Sequence, residues 1–176
     1  MHHLEGYFIS DLYALDRRKK YTDTRPEEIN PWGGAIMKKY QMKVYPKGLG
    51  REVYRVLEIC GEDTLMDLCD VILDAFDFID EHLYEFCIDN GPYQPGNYHR
   101  QLDSEFSEDK SADIALDQLR LQKGQKFLLH YDFGDDWIFV ITVQKITETS
   151  ECTSPCILKS KGSVEQYPEI EEEWEE

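Results

Sequence analysis

The chain of 176 residues is long enough for one ordinary domain and short for two. Hydrophobic residues make up 41% and aromatics 12%, which excludes a wholly disordered acidic chain. A formal net charge of −17 excludes direct, unassisted contact with a phosphate backbone, which needs clustered Lys and Arg.

No apolar run of about 18 residues is present, so no transmembrane helix is expected. Met1-His2-His3-Leu4-Glu5 lacks a charged-then-apolar signal pattern, which predicts a cytoplasmic protein. The charge is polarised: the first fifty residues are mildly basic and the rest strongly acidic. Of the five cysteines, Cys60, Cys69 and Cys87 lie in apolar runs and read as small core residues. Cys152 and Cys156 form a lone C-x3-C without the second ligand pair a structural zinc needs, so no metal is assigned. An odd number of cysteines without a secretory signal predicts free thiols.

Residues 1–36 read as a leader, partly helical or flexible. Phe8, Leu12 and Leu15 are spaced for one face of a short helix. Arg17-Arg18-Lys19-Lys20 reads as a solvated or self-docking cluster, too short for a firm binding patch. Arg25-Pro26 and Asn30-Pro31-Trp32-Gly33-Gly34 are breakers that close the leader.

The domain proper is predicted over residues 37–168. Tyr40–Tyr45 alternates as a strand, Pro46–Gly50 is a turn, and Glu52–Cys60 is a second strand. Gly48-Leu49-Gly50 lacks the third glycine and the crossover of a nucleotide loop. Thr64 and Asp67 have capping-box spacing. Leu65, Leu68, Cys69, Ile72 and Phe76 then make the apolar stripe of a helix. Asp67, Asp70, Asp74 and Asp77 fall on another face, either as solvated charge or as a docking ridge for a basic partner.

His82–Ile88 reads as a strand alternating His82, Tyr84, Phe86 and Ile88 against Leu83, Glu85 and Cys87. Residues 89–112 read as a long excursion. Ile114–Leu121 reads as a short helix ending in the Lys123-Gly124 turn. Phe127–Asp132 and Trp137–Ile146 form a hairpin whose link, Phe133-Gly134-Asp135-Asp136, places Gly134 where φ > 0 is needed. Tyr131 and Trp137 read as core aromatics. The acid-rich tail, 169–176, is expected to be disordered. These elements predict an α+β fold, a mainly antiparallel sheet with an amphipathic helix packed on one face.

Two segments carry a resemblance. One is Thr64-Leu65 with its helix and His82-Leu83-Tyr84-Glu85-Phe86. The other is Tyr131-Asp132-Phe133-Gly134-Asp135-Asp136-Trp137, after the Lys123-Gly124 turn. Together they resemble the plasmid pRiA ORF-three-like family, also labelled insertion-element passenger proteins of TnpR type, over about residues 38–168. The resemblance implies a compact α+β domain and a mobile-element setting, and no established activity. A serine recombinase needs a nucleophilic Ser among several Arg, whereas residues 51–150 hold only Arg51, Arg55, Arg100 and Arg120. Many members carry a His two residues past the motif Trp; here that position is Phe139. Many also carry a Cys- and Gly-rich segment near the C-terminus, where this chain has Leu158–Pro168 without Cys.

Two functions follow from the residues. The first is a non-enzymatic protein-interaction module docking a basic partner through Asp67, Asp70, Asp74 and Asp77, without a cofactor. The alternative is a metal-dependent or acid–base hydrolase built from His82, Glu85, His130, Asp132, Asp135 and Asp136, if the strand from His82 lies near the hairpin end.

Overall fold

A computed structural model describes residues 36–100, 109–153 and 155–168. The predicted leader up to residue 35 and the acidic tail, 169–176, lie outside the described residues.

The described residues build one eight-stranded sheet and one α-helix. The strands are β1 (Met37–Pro46), β2 (Tyr54–Cys60), β3 (Tyr84–Cys87), β4 (Tyr98–His99), β5 (Lys110–Ser111), β6 (Lys126–Tyr131), β7 (Trp137–Thr149) and β8 (Cys156–Lys161). Their order is β5-β4-β3-β6-β7-β1-β2-β8. The sheet is mixed, which corrects the mainly antiparallel sheet expected from the sequence: β4 and β5 run parallel, pairing Tyr98 with Lys110 and His99 with Ser111. Parallel neighbours need a crossover connection rather than a hairpin. Both strands lie inside the predicted excursion, and two-residue strands carry no periodicity to announce them.

Helix α1 (Leu65–Ala75) begins as its sequence dictates. Thr64 Oγ1 accepts from the Asp67 amide at 3.1 Å, and the Asp67 carboxylate accepts from the Thr64 amide at 2.8 Å. Two of the four orphan donors of the first turn are thereby satisfied. The helix ends in a Schellman arrangement. Phe78 N–H donates to the Leu73 carbonyl, Asp77 N–H to the Asp74 carbonyl, and Asp77 takes the left-handed conformation at φ 58°. Leu65, Leu68, Cys69, Ile72 and Leu73 face the core. They meet Tyr40, Met42 and Val44 of β1, Leu57 and Ile59 of β2, Phe127, Leu129 and Tyr131 of β6, and Phe139, Ile141 and Val143 of β7. Phe139, which stands where many family members have His, is fully buried against Phe76 and Phe78.

The predicted short helix is a single 3-10 turn, Leu116–Leu119. The hairpin link also differs from expectation. Asp132 (φ 60°) and Asp136 (φ 51°), rather than Gly134, hold the left-handed positions. Asp132 manages this because its Oδ1 accepts from the Gly134 amide at 3.0 Å, a local bond that makes Asp tolerable there. The cysteine expectation is corrected too: Cys60, at the end of β2, is disulfide-bonded to Cys152, while Cys69, Cys87 and Cys156 are free thiols. Sequence separation of 92 residues hid this pair, because Cys152 lies in the connection between β7 and β8 and only the folded sheet brings it beside Cys60. No described helix is long and apolar enough to cross a membrane.

Candidate functional site

Strand alternation puts two kinds of residue on β3. Tyr84 and Phe86 enter the core under α1, while Glu85 and Cys87 point to the opposite face of the sheet. Register then assembles a row across that far face. His99 of β4 pairs with Glu85 of β3, and Glu85 pairs with His130 of β6. In the structure, Glu85 is 1% and His130 0% exposed.

Buried polar side chains must satisfy one another. His130 Nδ1 lies 2.8 Å from Glu85 Oε1, and His130 Nε2 lies 2.6 Å from Asp136 Oδ1. Both ring nitrogens therefore face a carboxylate oxygen. Glu85 accepts two more bonds, from the Tyr93 amide at 2.7 Å and from Asn97 Nδ2 at 2.9 Å. Burial pushes the Glu85 carboxyl up, but the bonds from His130, Tyr93 and Asn97 outweigh it and leave it below the ordinary carboxylate value. Asp136 is also held low, by the Tyr93 hydroxyl at 2.6 Å and then by His130. In return, the Asp136 hydrogen bond pushes the Tyr93 phenol up to about 12.

Beside this network opens a cleft of about 460 Å³. Glu85, His99 and Asp109 supply its polar groups, and Tyr93, Gln94, Pro95 and Phe133 complete its lining. His99 Nε2 stands between the two carboxylates, 3.6 Å from Glu85 Oε2 and 3.5 Å from Asp109 Oδ2. The Tyr93 and Phe133 rings are 5.6 Å apart, and Tyr93 is strongly exposed.

The hydrolase candidates divide into two groups. His82 meets Asp132, Nε2 to Oδ2 at 3.4 Å, and also lies 2.6 Å from the Tyr167 hydroxyl. Asp136 turns instead to His130, and Asp135 is exposed in the turn. Neither His82 nor Asp132 lines the cleft; of the predicted candidates only Glu85 does. Tyr93, Gln94, Asn97, His99 and Asp109 lie in the predicted excursion and went unsingled. An aromatic, a His and an Asp interspersed among Gly, Pro and Asn was the available signal, since loops on a rigid scaffold often carry function.

The helix carboxylates have mostly local duties. Asp67 closes the capping box, and Asp77 holds the left-handed position at the C-terminal end. Arg55 is lowered by desolvation, which the Asp77 charge opposes. The Asp80 hydrogen bond, with Asp70 assisting, holds the Arg100 guanidinium above its usual range. Asp74 is exposed. Among the described residues, no group of three or more His, Cys, Asp or Glu is arranged to hold a metal ion.

The fold has a relative among solved structures. A crystal structure titled as a protein of unknown function, MM3350 from Methanosarcina mazei Go1, matches with a TM-score of 0.60 at 24% identity. That match covers 73% of this chain and 72% of the other, and it speaks to the fold alone. No curated protein matches the chain. The family model described as plasmid pRiA4b ORF-3-like protein matches residues 38–169, which span every described strand except the start of β1. On that match, and in agreement with the resemblance carried by the two sequence motifs, the chain belongs to the plasmid pRiA4b ORF-3-like protein family.

Proposed function

We propose that this protein is a non-enzymatic binding module, and that the cleft beside Glu85 receives a Lys or Arg side chain of a basic partner. One observation carries the reading. A buried carboxylate, Glu85, held below its ordinary carboxyl value, lines the cleft together with Asp109, and His99 is the one basic side chain of that lining. Tyr93 and Phe133 add aromatic faces at the same opening, where a cation is further stabilised by about 0.5–1 kcal/mol at an exposed site. The docking role expected of the helix ridge moves to this cleft, because Asp67 and Asp77 serve the helix ends. Charge complementarity of this kind mainly accelerates association and makes it salt-sensitive. Cytoplasmic residence remains part of the proposal, although a disulfide such as Cys60–Cys152 is uncommon in that reducing compartment, and fractionation of cells that make the protein checks it.

The test is titration of a fluorescent arginine-rich peptide against the full chain at low and high salt. Binding should weaken with salt and fall roughly tenfold in Asp109→Asn or Glu85→Gln, as for loss of one desolvated charge partner. Equal binding by wild type and Asp109→Asn, or binding indifferent to salt, would sink the reading. The hydrolase reading has less support, since His82 is engaged by Asp132 and Tyr167 while Asp136 belongs to a separate network.

A further inference from the structure

The same far face of the sheet carries the opposite charge at its other edge. Lys43 of β1 pairs in register with Val56 of β2, and Val56 with Lys159 of β8; Tyr54 pairs with Lys161. Alternation therefore puts Lys43, Tyr54, Lys159 and Lys161 on one face. Their side chains converge: the Lys43, Lys159 and Lys161 ammonium groups lie 4.4, 5.5 and 6.0 Å from the Tyr54 ring centre. Lys43 donates to the Gly50 carbonyl at 3.0 Å and Lys161 to the Arg51 carbonyl at 2.6 Å, which brings the β1–β2 turn, with Lys47 and Arg51, to the same corner. Three ammonium groups around one ring repel each other, so an anionic group that joins them relieves a real cost. The Tyr54 hydroxyl, held below its usual pKa by its hydrogen bond to Lys159 and by the neighbouring lysines, reports the same local field.

In a chain of net charge −17, a long polyanion would be repelled by everything around this corner. A short acidic segment tethered nearby would not be excluded in the same way, and its local concentration is of millimolar order. Such a segment exists in residues 169–176, where Glu is interrupted only by Ile170 and Trp174. The described chain leads up to it from Lys161: Gln166 accepts from the Ile79 amide at 2.8 Å, and Tyr167 reaches His82. That departure point is acidic, because Asp132, Asp135 and Glu81 all push the Tyr167 phenol up, after burial. Tail glutamates are therefore repelled where they leave. The basic corner lies at the same end of the sheet. β6, which ends at the Asp132 turn, is three strand spacings from β2, or about 14 Å. Eight residues extend to about 26 Å.

We propose that the basic corner formed by Lys43, Lys159 and Lys161 around Tyr54 is a docking site for the chain's own acidic segment, Glu169–Glu176. The contact covers the lysines of the exposed edge strand β8, and a stronger acidic ligand can take the segment's place. Zero-length carbodiimide cross-linking of the full chain, with peptide mapping, tests it. Cross-links should join tail glutamates to Lys43, Lys159 and Lys161 within one chain. They should fade at about 1 M salt, where the screening length is about 3 Å. The tail's cross-link to Lys43, whose amine is intact in both variants, should fall roughly tenfold in Lys159→Glu/Lys161→Glu, with two attractive charges turned repulsive, and its yield from the unaltered Glu169, Glu175 and Glu176 should fall in Glu171→Gln/Glu172→Gln/Glu173→Gln. All these positions are exposed or outside the described fold, so the variants should keep the wild-type circular dichroism. Cross-links spread evenly over other lysines would overturn the proposal, as would yields unchanged in the variants. So would links found only in covalent dimers, which would make a second copy the occupant. Salt-sensitive binding of a single-stranded oligonucleotide, lost in Lys159→Glu/Lys161→Glu, would overturn it in favour of nucleic acid.

Discussion

The two ends of one sheet face hold charge in opposite ways. At the β4-β3-β6 end, Glu85 and His130 are buried and each faces the other in register. At the β1-β2-β8 end, Lys159 and Lys161 stand on an edge strand that is exposed along its whole length, and they gather with the half-buried Lys43 of β1 around a tyrosine. Buried charge persists only where geometry supplies a partner for every donor and acceptor, so it is fixed in place and costly to disturb. Exposed charge is screened by salt and adjustable, so it suits reversible contacts.

The largest expected effect comes from removing the buried imidazole of His130. His130→Ala leaves Glu85 Oε1 buried without its imidazole partner, which costs about 3–5 kcal/mol. Chemical denaturation measures this, and a loss under about 1 kcal/mol would mean that the triad is not held as described. The pH dependence has a definite sign. The Glu85 carboxyl titrates below its ordinary value of 4.5 in the folded protein, so it stabilises fully above that value. The contribution is lost as pH falls through the lowered folded value. In His130→Ala the remaining burial favours the protonated acid, so the deficit against wild type should narrow on acidification. Lys159→Glu/Lys161→Glu at the other end should leave stability nearly unchanged at every pH.

These two ends were unequally legible in the sequence. Local rules sufficed for α1, where Thr64 and Asp67 announced a capping box and every fourth or third apolar residue reached the core. They sufficed for the β6–β7 hairpin and for Tyr131 in its core. They failed wherever a contact depended on distant chain. Glu85 alternates with Tyr84 and Phe86, and its burial depends on distant segments, among them the one carrying Tyr93 and Asn97. β4 and β5 exist through pairing alone, and their parallel ladder made the sheet mixed. The lysine corner is assembled from residues more than a hundred positions apart, which no window of sequence contains.

A second, intermediate effect separates the ends by mechanism. Cys60 closes β2, and its bond to Cys152 fastens the approach to β8 across 92 residues. Reduction should cost about 2–4 kcal/mol, chiefly by freeing the unfolded chain. Hydrogen exchange should show where the loss is felt. Amides of β8 should exchange faster in reductant, while Glu85, Leu129 and His130 keep their protection. Equal acceleration across both ends would mean that the sheet opens as one unit. Thiol titration of the denatured protein, with and without reductant, establishes beforehand that the bond is present.

The smallest effect tests whether acidic charge outside both ends matters. Asp77 occupies the left-handed position that ends α1, a conformation costing a non-glycine residue roughly 1 kcal/mol. Asp77→Gly removes that strain but also removes a charge that favours Arg55 in its cationic form. The net expectation is a gain of about 0.5 kcal/mol, or no change, in denaturant unfolding. Its value lies in the paired binding measurement. If the helix carboxylates formed the docking surface, losing Asp77 would weaken the arginine-rich peptide. The cleft reading requires affinity unchanged within error, beside a clear loss in Asp109→Asn. A protein equally stable but weaker in binding after Asp77→Gly would return the docking role to the helix and leave the cleft without one.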